Sequence, residues 1–340
     1  MQGDSRGMSV RVAINGFGRI GRSVFRAGWT RPEFDFVAIN DLGESRVLAH
    51  LLKYDSLQGV FAARVETGRD SIIIDGKKVP VFAVNDPEKL PWKDLAVDVV
   101  LESTGRFVRR DAAYRHIEAG AQKVVVSAPG NGLDVTVVLG INDEVYDRDH
   151  HQVVSMASCT ANCLAPIAKI LHDEFGILYG HMTTVHGYTN NQVLLDSPHK
   201  DLRRARSATL SIIPTTTTAM DATSRVIPDL AGRLEGISVR VPTPKVALVD
   251  FVVTLRKGTG REELNDTLKS YAEGTMKRTL YCSDEPLVST DLKGNPYSSI
   301  VDLTCTQVLG GKLVKIISWY DNESGFSHRL CDFFPFLMGR

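Results

Sequence analysis

The apolar and polar positions change their period along the chain. Val10, Val12 and Ile14 alternate as in a strand, and Val24, Phe25 and Ala27 then recur at helical spacing. Phe34 to Asn40 reads as a second strand, ending at Asp41. Ile72 to Ile74 and Val79 to Ala83, joined by Asp75-Gly76, read as a hairpin. A strand at Val97 to Leu101, a helix at Asp111 to Ala119 and strands at Lys123 to Ser127 and Val135 to Leu139 follow. This alternation predicts a mostly parallel, doubly wound sheet.

Beyond Val153-Val154 the pattern changes. Leu164, Ile167, Ala168, Ile170 and Leu171 mark a helix stopping at Gly176, and Ile177 to Tyr188 reads as a long strand. An irregular stretch runs to about Thr209, with a helix N-terminus expected after Pro214. Strands at Ser238 to Val241 and Val246 to Leu255, a helix near Arg261 to Ala272 and a strand pair at Ile300 to Val308 and Leu313 to Trp319 predict a mostly antiparallel sheet. Glu323 to Met338 has helical spacing and is expected to pack back on the first domain, with Pro335 disturbing its end. The fold class is therefore α/β, with a Rossmann-like first domain and an α+β second domain. The expected boundaries are 8–158 for the nucleotide domain, completed by 323–340, and 159–322 for the catalytic domain.

The first loop carries chemistry. Gly16, Phe17, Gly18, Arg19, Ile20 and Gly21 spell G-x-G-x-x-G between a strand and a helix, which lets a pyrophosphate approach the helix N-terminus. Asp41, about 20 residues on, is placed to accept from the adenosine ribose and to repel a 2′-phosphate, which predicts NAD rather than NADP. Arg46 reads as a solvated helix residue. Thr104, Gly105 and Ser127 fall just past strand ends, where ligands of such sheets bind.

Cys159 is expected where a strand turns into a helix, so unpaired N–H groups and the helix dipole favour its thiolate. Ser158 or Ser155 can cap the turn, Thr160 adds a hydroxyl, and Pro166 falls in the first part of the helix. Cys163 reads as core or as an oxidisable thiol, and C-x-x-x-C without further ligands argues against metal. His181 and His186 are both candidates for the base whose imidazolium would pair with the thiolate. Arg203, Arg204, Arg206, Thr215 to Thr218 and Arg240 form a donor set suited to phosphate, although one or two of the arginines are expected to be solvated.

Composition narrows the class. The 340 residues are 43% hydrophobic, enough for two domains, and 40 basic residues balance 40 acidic ones. That balance points away from nucleic acid or an anionic membrane as partner. No apolar run approaches the ~18 residues of a membrane span. Five cysteines without framework spacing predict a reducing compartment, the cytoplasm. Residues 1–7 lack an apolar region and read as a disordered leader.

Nine ordered motifs then carry a resemblance. They are INGFGRIGR (Ile14 to Arg22), LLKYDS (Leu51 to Ser56), ESTGRF (Glu102 to Phe107), ASCTANCLAP (Ala157 to Pro166), TTVHGYT (Thr183 to Thr189), DLRRAR (Asp201 to Arg206), IIPTTT (Ile212 to Thr217), RVPTP (Arg240 to Pro244) and SWYDNESG (Ser318 to Gly325). With them the chain resembles the phosphorylating glyceraldehyde-3-phosphate dehydrogenases over nearly its full length. The resemblance implies Cys159 as nucleophile and His186 as base. It implies NAD held by Arg19 and Ile20 at the pyrophosphate, Asp41 at the ribose, Ser127 nearby and Asn322 at the nicotinamide carboxamide. Ser158, Thr160, Thr189, Arg204, Thr217 and Arg240 would bind the phosphates of glyceraldehyde 3-phosphate and inorganic phosphate, with Thr218 at their border. A homotetramer is also implied.

The chain departs from the family pattern at Met156, Ala161, Asn191, Ser197 and Thr218, where Asn, Thr, often Asp, Leu and Gly are usual. Thr218 adds a side chain where glycine would let an anion approach the backbone. Two other readings are a sister dehydrogenase acting on erythrose 4-phosphate and a non-catalytic NAD-binding thiol sensor.

Overall fold

The computed structural model describes residues 9–339, and the expected leader lies outside the described residues. The chain divides into two compact units. As far as described, the first holds 9–137, 144–156 and 327–339, and the second 138–143 and 157–326.

The first unit is built on β1 (Val10–Asn15), α1 (Arg19–Gly28), β2 (Phe34–Asn40), α2 (Ser45–Lys53) and the short pair β3 (Tyr54–Asp55) and β4 (Gly59–Val60). β5 (Val65–Gly68), β6 (Ser71–Ile74), β7 (Lys77–Phe82), β8 (Val99–Glu102), α3 (Arg110–Glu118), β9 (Lys123–Val126), β10 (Val135–Thr136) and β11 (Val153–Ser155) follow. Nine strands form one sheet in the order β10-β11-β9-β8-β1-β2-β7-β6-β5. Pairing is parallel from β10 to β7 and antiparallel only in the β5-β6-β7 meander. The β6–β7 turn uses positive φ at Asp75 and Gly76, as a two-residue hairpin requires.

Strand order reverses at β1, with β2 on one side and β8 on the other, which opens a crevice at their C-terminal ends. The strands there are buried along most of their length. Phe25 on α1 stacks on Phe36 of β2 at 4.7 Å and meets Phe17 edge-on at 5.7 Å. Gly21 is held so close that a Cβ would stand 2.3 Å from Gly16 O.

The second unit starts with α4 (Cys159–Phe175), followed by β12 (Ile177–Gly187), β13 (Ile213–Thr215), α5 (Ala219–Val226), β14 (Leu234–Val241) and β15 (Ala247–Leu255). α6 (Arg261–Glu273), β16 (Leu280–Ser283), β17 (Ser299–Leu309), β18 (Leu313–Tyr320) and α7 (Ser324–Leu337) complete the chain. Its seven strands run β13-β14-β12-β15-β18-β17-β16, antiparallel except for β12 with β14 and β16 with β17. α4 lies on this sheet with Leu164, Ile167, Ile170 and Leu171 fully buried. Ser158 caps it, accepting from Ala161 N at 3.1 Å, and Gly176 ends it at φ 71°.

Some expectations shift. The strand expected at Val135 to Leu139 stops at Thr136. Beyond it, Asn142 Oδ1 takes the Val138 N–H at 2.9 Å and Gly140 turns the chain at φ 81°. Pro214 sits inside β13, and the helix expected after it begins only at Ala219. α7 runs through Pro335 to Leu337, and its residues from Ser327 belong to the first unit. There Asp332 pairs with Arg31 at 2.7 Å and Phe334 meets Phe34 edge-on at 5.4 Å.

Replacing Phe25 by Ala removes the ring shared by Phe17 and Phe36. The expected loss is about 3–5 kcal/mol, read as a lower denaturation midpoint. A change within the error of the denaturation curve would contradict this packing account.

Candidate active site

In the first unit the loop after β1 forms the floor of a cleft of about 250 Å³ lined by Gly16, Gly18, Asp41, Asn85, Ser103 and Thr104, among others. Gly16 has φ 92°, and a Cβ on it would lie 2.7 Å from Thr104 N. Gly18 precedes α1 and faces open space, so the start of that helix is accessible to an anion. Asp41 accepts from Phe17 N at 2.7 Å and Gly43 N at 2.9 Å, which fixes its carboxylate at the cleft wall. The Phe17 ring itself is core. These features fit a dinucleotide.

The other expected residues of this unit do different things. Arg19 is tied to Asp55 at 2.6 Å, and Ile20 lies in the first turn of α1. Gly105 takes φ 71°, and Ser127 Oγ donates to Glu102 O at 3.0 Å. The Thr104 hydroxyl donates to Glu102 Oε1 and accepts from Arg106 N, so both functions of the oxygen are in use. Arg46 is exposed on α2.

Beneath the cleft lies a buried network that sequence reasoning missed. Trp92 Nε1 donates to His116 Nδ1 at 2.9 Å, so the proton of the neutral ring is on Nε2, 3.2 Å from Glu102 Oε2. Asn15 Nδ2 also donates to Glu102 Oε2, at 2.5 Å, and Asn15 Oδ1 accepts from Asn40 at 2.7 Å. The polar ends of apolar strands (Asn15, Asn40, Glu102) were the available signal.

In the second unit Cys159 occupies the first turn of α4, with Sγ 3.8 Å from His186 Nε2. His186 lies near the end of β12 and is buried, whereas His181 on the same strand is exposed. Parallel pairing of β12 with β14 sets Arg240 directly beside His186. Arg240 Nη1 lies 2.6 Å from His186 Nδ1 and donates to Gly187 O at 3.1 Å. Gly187 O is itself 2.7 Å from Nδ1. A guanidinium only donates and a carbonyl only accepts, so Nδ1 faces one partner suited to its lone pair and one suited to its proton.

Burial, and then the Arg240 charge, push His186 down to about 3. Burial raises the Cys159 thiol, against the Arg240 charge, the Thr160 hydroxyl and the backbone N–H groups of the helix start, which all lower it. Burial thus works against both members of the expected imidazolium–thiolate pair, while Arg240 disfavours the imidazolium and favours the thiolate. Cys163 is buried against Ser318 and Ser299, with its thiol pushed up to about 12. That environment suits packing rather than oxidation.

The phosphate-type donors divide. Arg204 is held by Thr215 Oγ1 at 2.8 Å and Asp201 at 3.4 Å, while Arg206 pairs with Asp196 and Arg203 is exposed. Thr217 Oγ1 accepts from Ala219 N, and Thr218 is exposed at the start of α5 without a capping bond. Thr189 N donates to Gln192. Thr160 is turned inward, its Oγ1 2.8 Å from Tyr320 OH, rather than out towards an anion. Asn322 Oδ1 accepts from Val246 N at 3.1 Å, which leaves its Nδ2 as a donor. Val246 takes φ 69°, an uncommon value for a β-branched residue, beside the buried Lys245–Asp321 pair. Met156 and Ala161 are fully buried, and Asn191 and Ser197 are exposed. Among the described residues no group of three or more His, Cys, Asp or Glu could hold a metal, and no helix is long and apolar enough to cross a membrane.

A dinucleotide cleft in one unit, with a helix-start thiol beside a histidine in the other, points to a class, the dinucleotide-dependent enzymes. Comparison with known proteins makes the class specific. Residues 10–110 match the NAD binding domain, and residues 158–322 the C-terminal domain, of glyceraldehyde 3-phosphate dehydrogenase. The glyceraldehyde-3-phosphate dehydrogenase of Geobacillus stearothermophilus is 53% identical over 333 residues, covering 98% of this chain and 99% of that protein. Glyceraldehyde-3-phosphate dehydrogenase 1 of Bacillus subtilis is 53% identical over 330 residues, 97% and 98% of the two chains. The Streptomyces coelicolor enzyme is 48% identical over 332 residues, 97% and 99%. The chain belongs to the glyceraldehyde-3-phosphate dehydrogenase family, and NAD is the cofactor its first unit accommodates.

The His186 shift has a consequence for stability. Its folded value near 3 lies below the ordinary 6.5, so between these values the unfolded chain binds a proton that the folded chain does not. Without phosphate, stability should therefore fall as pH drops below about 6.5, steeper by up to ~1.4 kcal/mol per pH unit than in His186→Gln. Parallel denaturation curves for the two proteins would contradict the buried neutral imidazole.

Proposed function

We propose that this chain catalyses the oxidative phosphorylation of D-glyceraldehyde 3-phosphate to 1,3-bisphosphoglycerate in glycolysis and gluconeogenesis. The observation that carries the reading is the Cys159 sulfur 3.8 Å from His186 Nε2, with Arg240 on the far side of the ring. We assign residues 8–158, completed by 323–340, to nucleotide binding and 159–322 to catalysis; the two matched domains span 10–110 and 158–322. NAD, when bound, supplies the hydride acceptor.

The chain's own residues supply the rest. An anion engaging Arg240 offsets the charge that faces His186 Nδ1. That nitrogen can then donate to Gly187 O, which leaves the Nε2 lone pair facing the sulfur. Nε2 takes the thiol proton, so phosphate binding and thiol activation are coupled. The Cys159 sulfur bonds to the aldehyde carbon, and the protonated Nε2 together with the Cys159 N–H steadies the oxyanion. Loss of hydride from that carbon leaves a thioester on Cys159. An oxygen of inorganic phosphate then attacks the thioester carbon, the C–S bond breaks and the acyl phosphate departs, restoring the thiolate.

Two phosphates need two sets of donors. Ser158, Thr189, Arg204, Thr217, Thr218 and Arg240 are assigned to them, with Thr160 acting through the sulfur instead. The Ser158 hydroxyl accepts from Ala161 N and so keeps its proton for an anion. Leu194, Leu195, Leu202, Leu210 and Ile212 are more than two-thirds exposed on the segment between β12 and β13. This apolar surface supports a homotetramer. The free cysteines support a reducing compartment, the cytoplasm.

The test is NADH formation from glyceraldehyde 3-phosphate or erythrose 4-phosphate, each with and without inorganic phosphate. Phosphate-dependent turnover favouring the triose is expected, and Cys159→Ser should lower it by roughly 10⁴-fold or more. Preference for the tetrose would move the assignment to the sister enzyme. NAD binding without turnover would leave a thiol sensor.

A further inference from the structure

The turn before α7 is clasped residue by residue to the start of β15. Ala247 pairs with Tyr320 at the end of β18, Val246 N donates to Asn322 Oδ1 at 3.1 Å, and Lys245 Nζ lies 3.0 Å from Asp321 Oδ2. The ion pair is out of water, with the Lys245 side chain 1% and the Asp321 side chain 0% exposed. The ammonium also donates to Ser324 Oγ at 3.1 Å. Lys245 is one of the largest fully buried side chains, and the catalytic steps make no use of it.

Asp321 organises this turn. Its Oδ1 accepts from Glu323 N at 3.0 Å and Ser324 N at 2.8 Å, while Oδ2 takes Gly294 N at 2.8 Å as well as the ammonium. Asn322 therefore stands between residues whose places are set by one carboxylate. A buried carboxylate keeps its place only while its charge is matched, because an unmatched charge is driven back to water. Lys245 supplies that match from the other side of the clasp. Between these contacts Val246 is held at φ 69°, a conformation that a β-branched residue keeps only where its surroundings enforce it. With the backbone so held, its N–H occupies Asn322 Oδ1, and Nδ2 is the end of the amide left to donate.

We propose that Lys245 is a positioning residue for the cofactor, whose ion pair with Asp321 fixes the Asn322 amide in the orientation that receives the nicotinamide carboxamide. The inference rests on the reading of Asn322 as the residue at that group. A carboxamide offers a carbonyl oxygen, for which Asn322 Nδ2 is the matching donor. Loss of the Lys245 charge leaves the Asp321 carboxylate buried without a counter-charge. The carboxylate then turns towards water, the clasp loosens and Asn322 no longer holds one orientation.

The experiment measures the affinity of the full chain for NAD and for ADP-ribose by isothermal titration calorimetry. ADP-ribose keeps the adenosine, the pyrophosphate and the second ribose but has no nicotinamide. Lys245→Met should weaken NAD by roughly threefold or more, the contribution of about one hydrogen bond, and leave ADP-ribose unchanged. Combining Lys245→Met with Asp321→Asn leaves no unpaired buried charge, so this double variant keeps the fold if the single one does not, and it should shift the preference for NAD over ADP-ribose in the same direction. A purely structural role would lower the melting temperature and weaken both ligands alike. An unchanged preference in either variant overturns the proposal. Failure of the underlying reading is separate: Asn322→Ala that keeps the parent's preference for NAD over ADP-ribose would remove Asn322 from the nicotinamide whatever Lys245 does.

Discussion

Burial of the first turn of α4 sets two opposed demands on one sulfur. The helix start offers Cys159 unpaired N–H groups, the Thr160 hydroxyl and the Arg240 charge, all of which favour the anion. The same packing that fixes the turn removes water and pushes the thiol up. The sheet that buries α4 also brings His186, Arg240 and Tyr320 to the sulfur from three separate strands. Their spacing is set by strand register and not by flexible loops.

Arg240 is the hinge of the electrostatics. Set beside His186 by parallel pairing, it adds to burial in disfavouring the imidazolium. In the proposed mechanism Arg240 is also the residue that binds phosphate, and the anion's charge offsets its share of that effect. In the first unit the logic is steric instead. Gly16 and Gly21 permit close approaches that no side chain would allow, and the buried Glu102 network fixes the loop ends around them.

Much of this was legible in the sequence wherever the signal was local. Phe34 to Asn40 reads as an apolar strand and forms β2 with those bounds. Gly176 stops α4 because only a residue tolerant of φ 71° can do so without strain. The Cys159 position followed from an apolar strand running into an apolar-periodic segment. What escaped reading depends on pairing across the chain. His181 and His186 share a strand, and only the sheet decides which faces the sulfur. Tyr320 is 160 positions from Thr160 and 136 from Thr184, so no spacing could join them. The strand expected through Leu139 was cut short by Asn142, a side-chain acceptor that periodicity does not register.

The central claim is that Cys159 carries the acyl group. Incubating the protein with glyceraldehyde 3-phosphate and NAD in phosphate-free buffer, quenching in acid and mapping the adduct by mass spectrometry tests it directly. The account predicts a phosphoglyceryl thioester on the Cys159 peptide that disappears when inorganic phosphate is added. An adduct on Cys163 or Cys305, or NADH formed with no adduct at all, would contradict it.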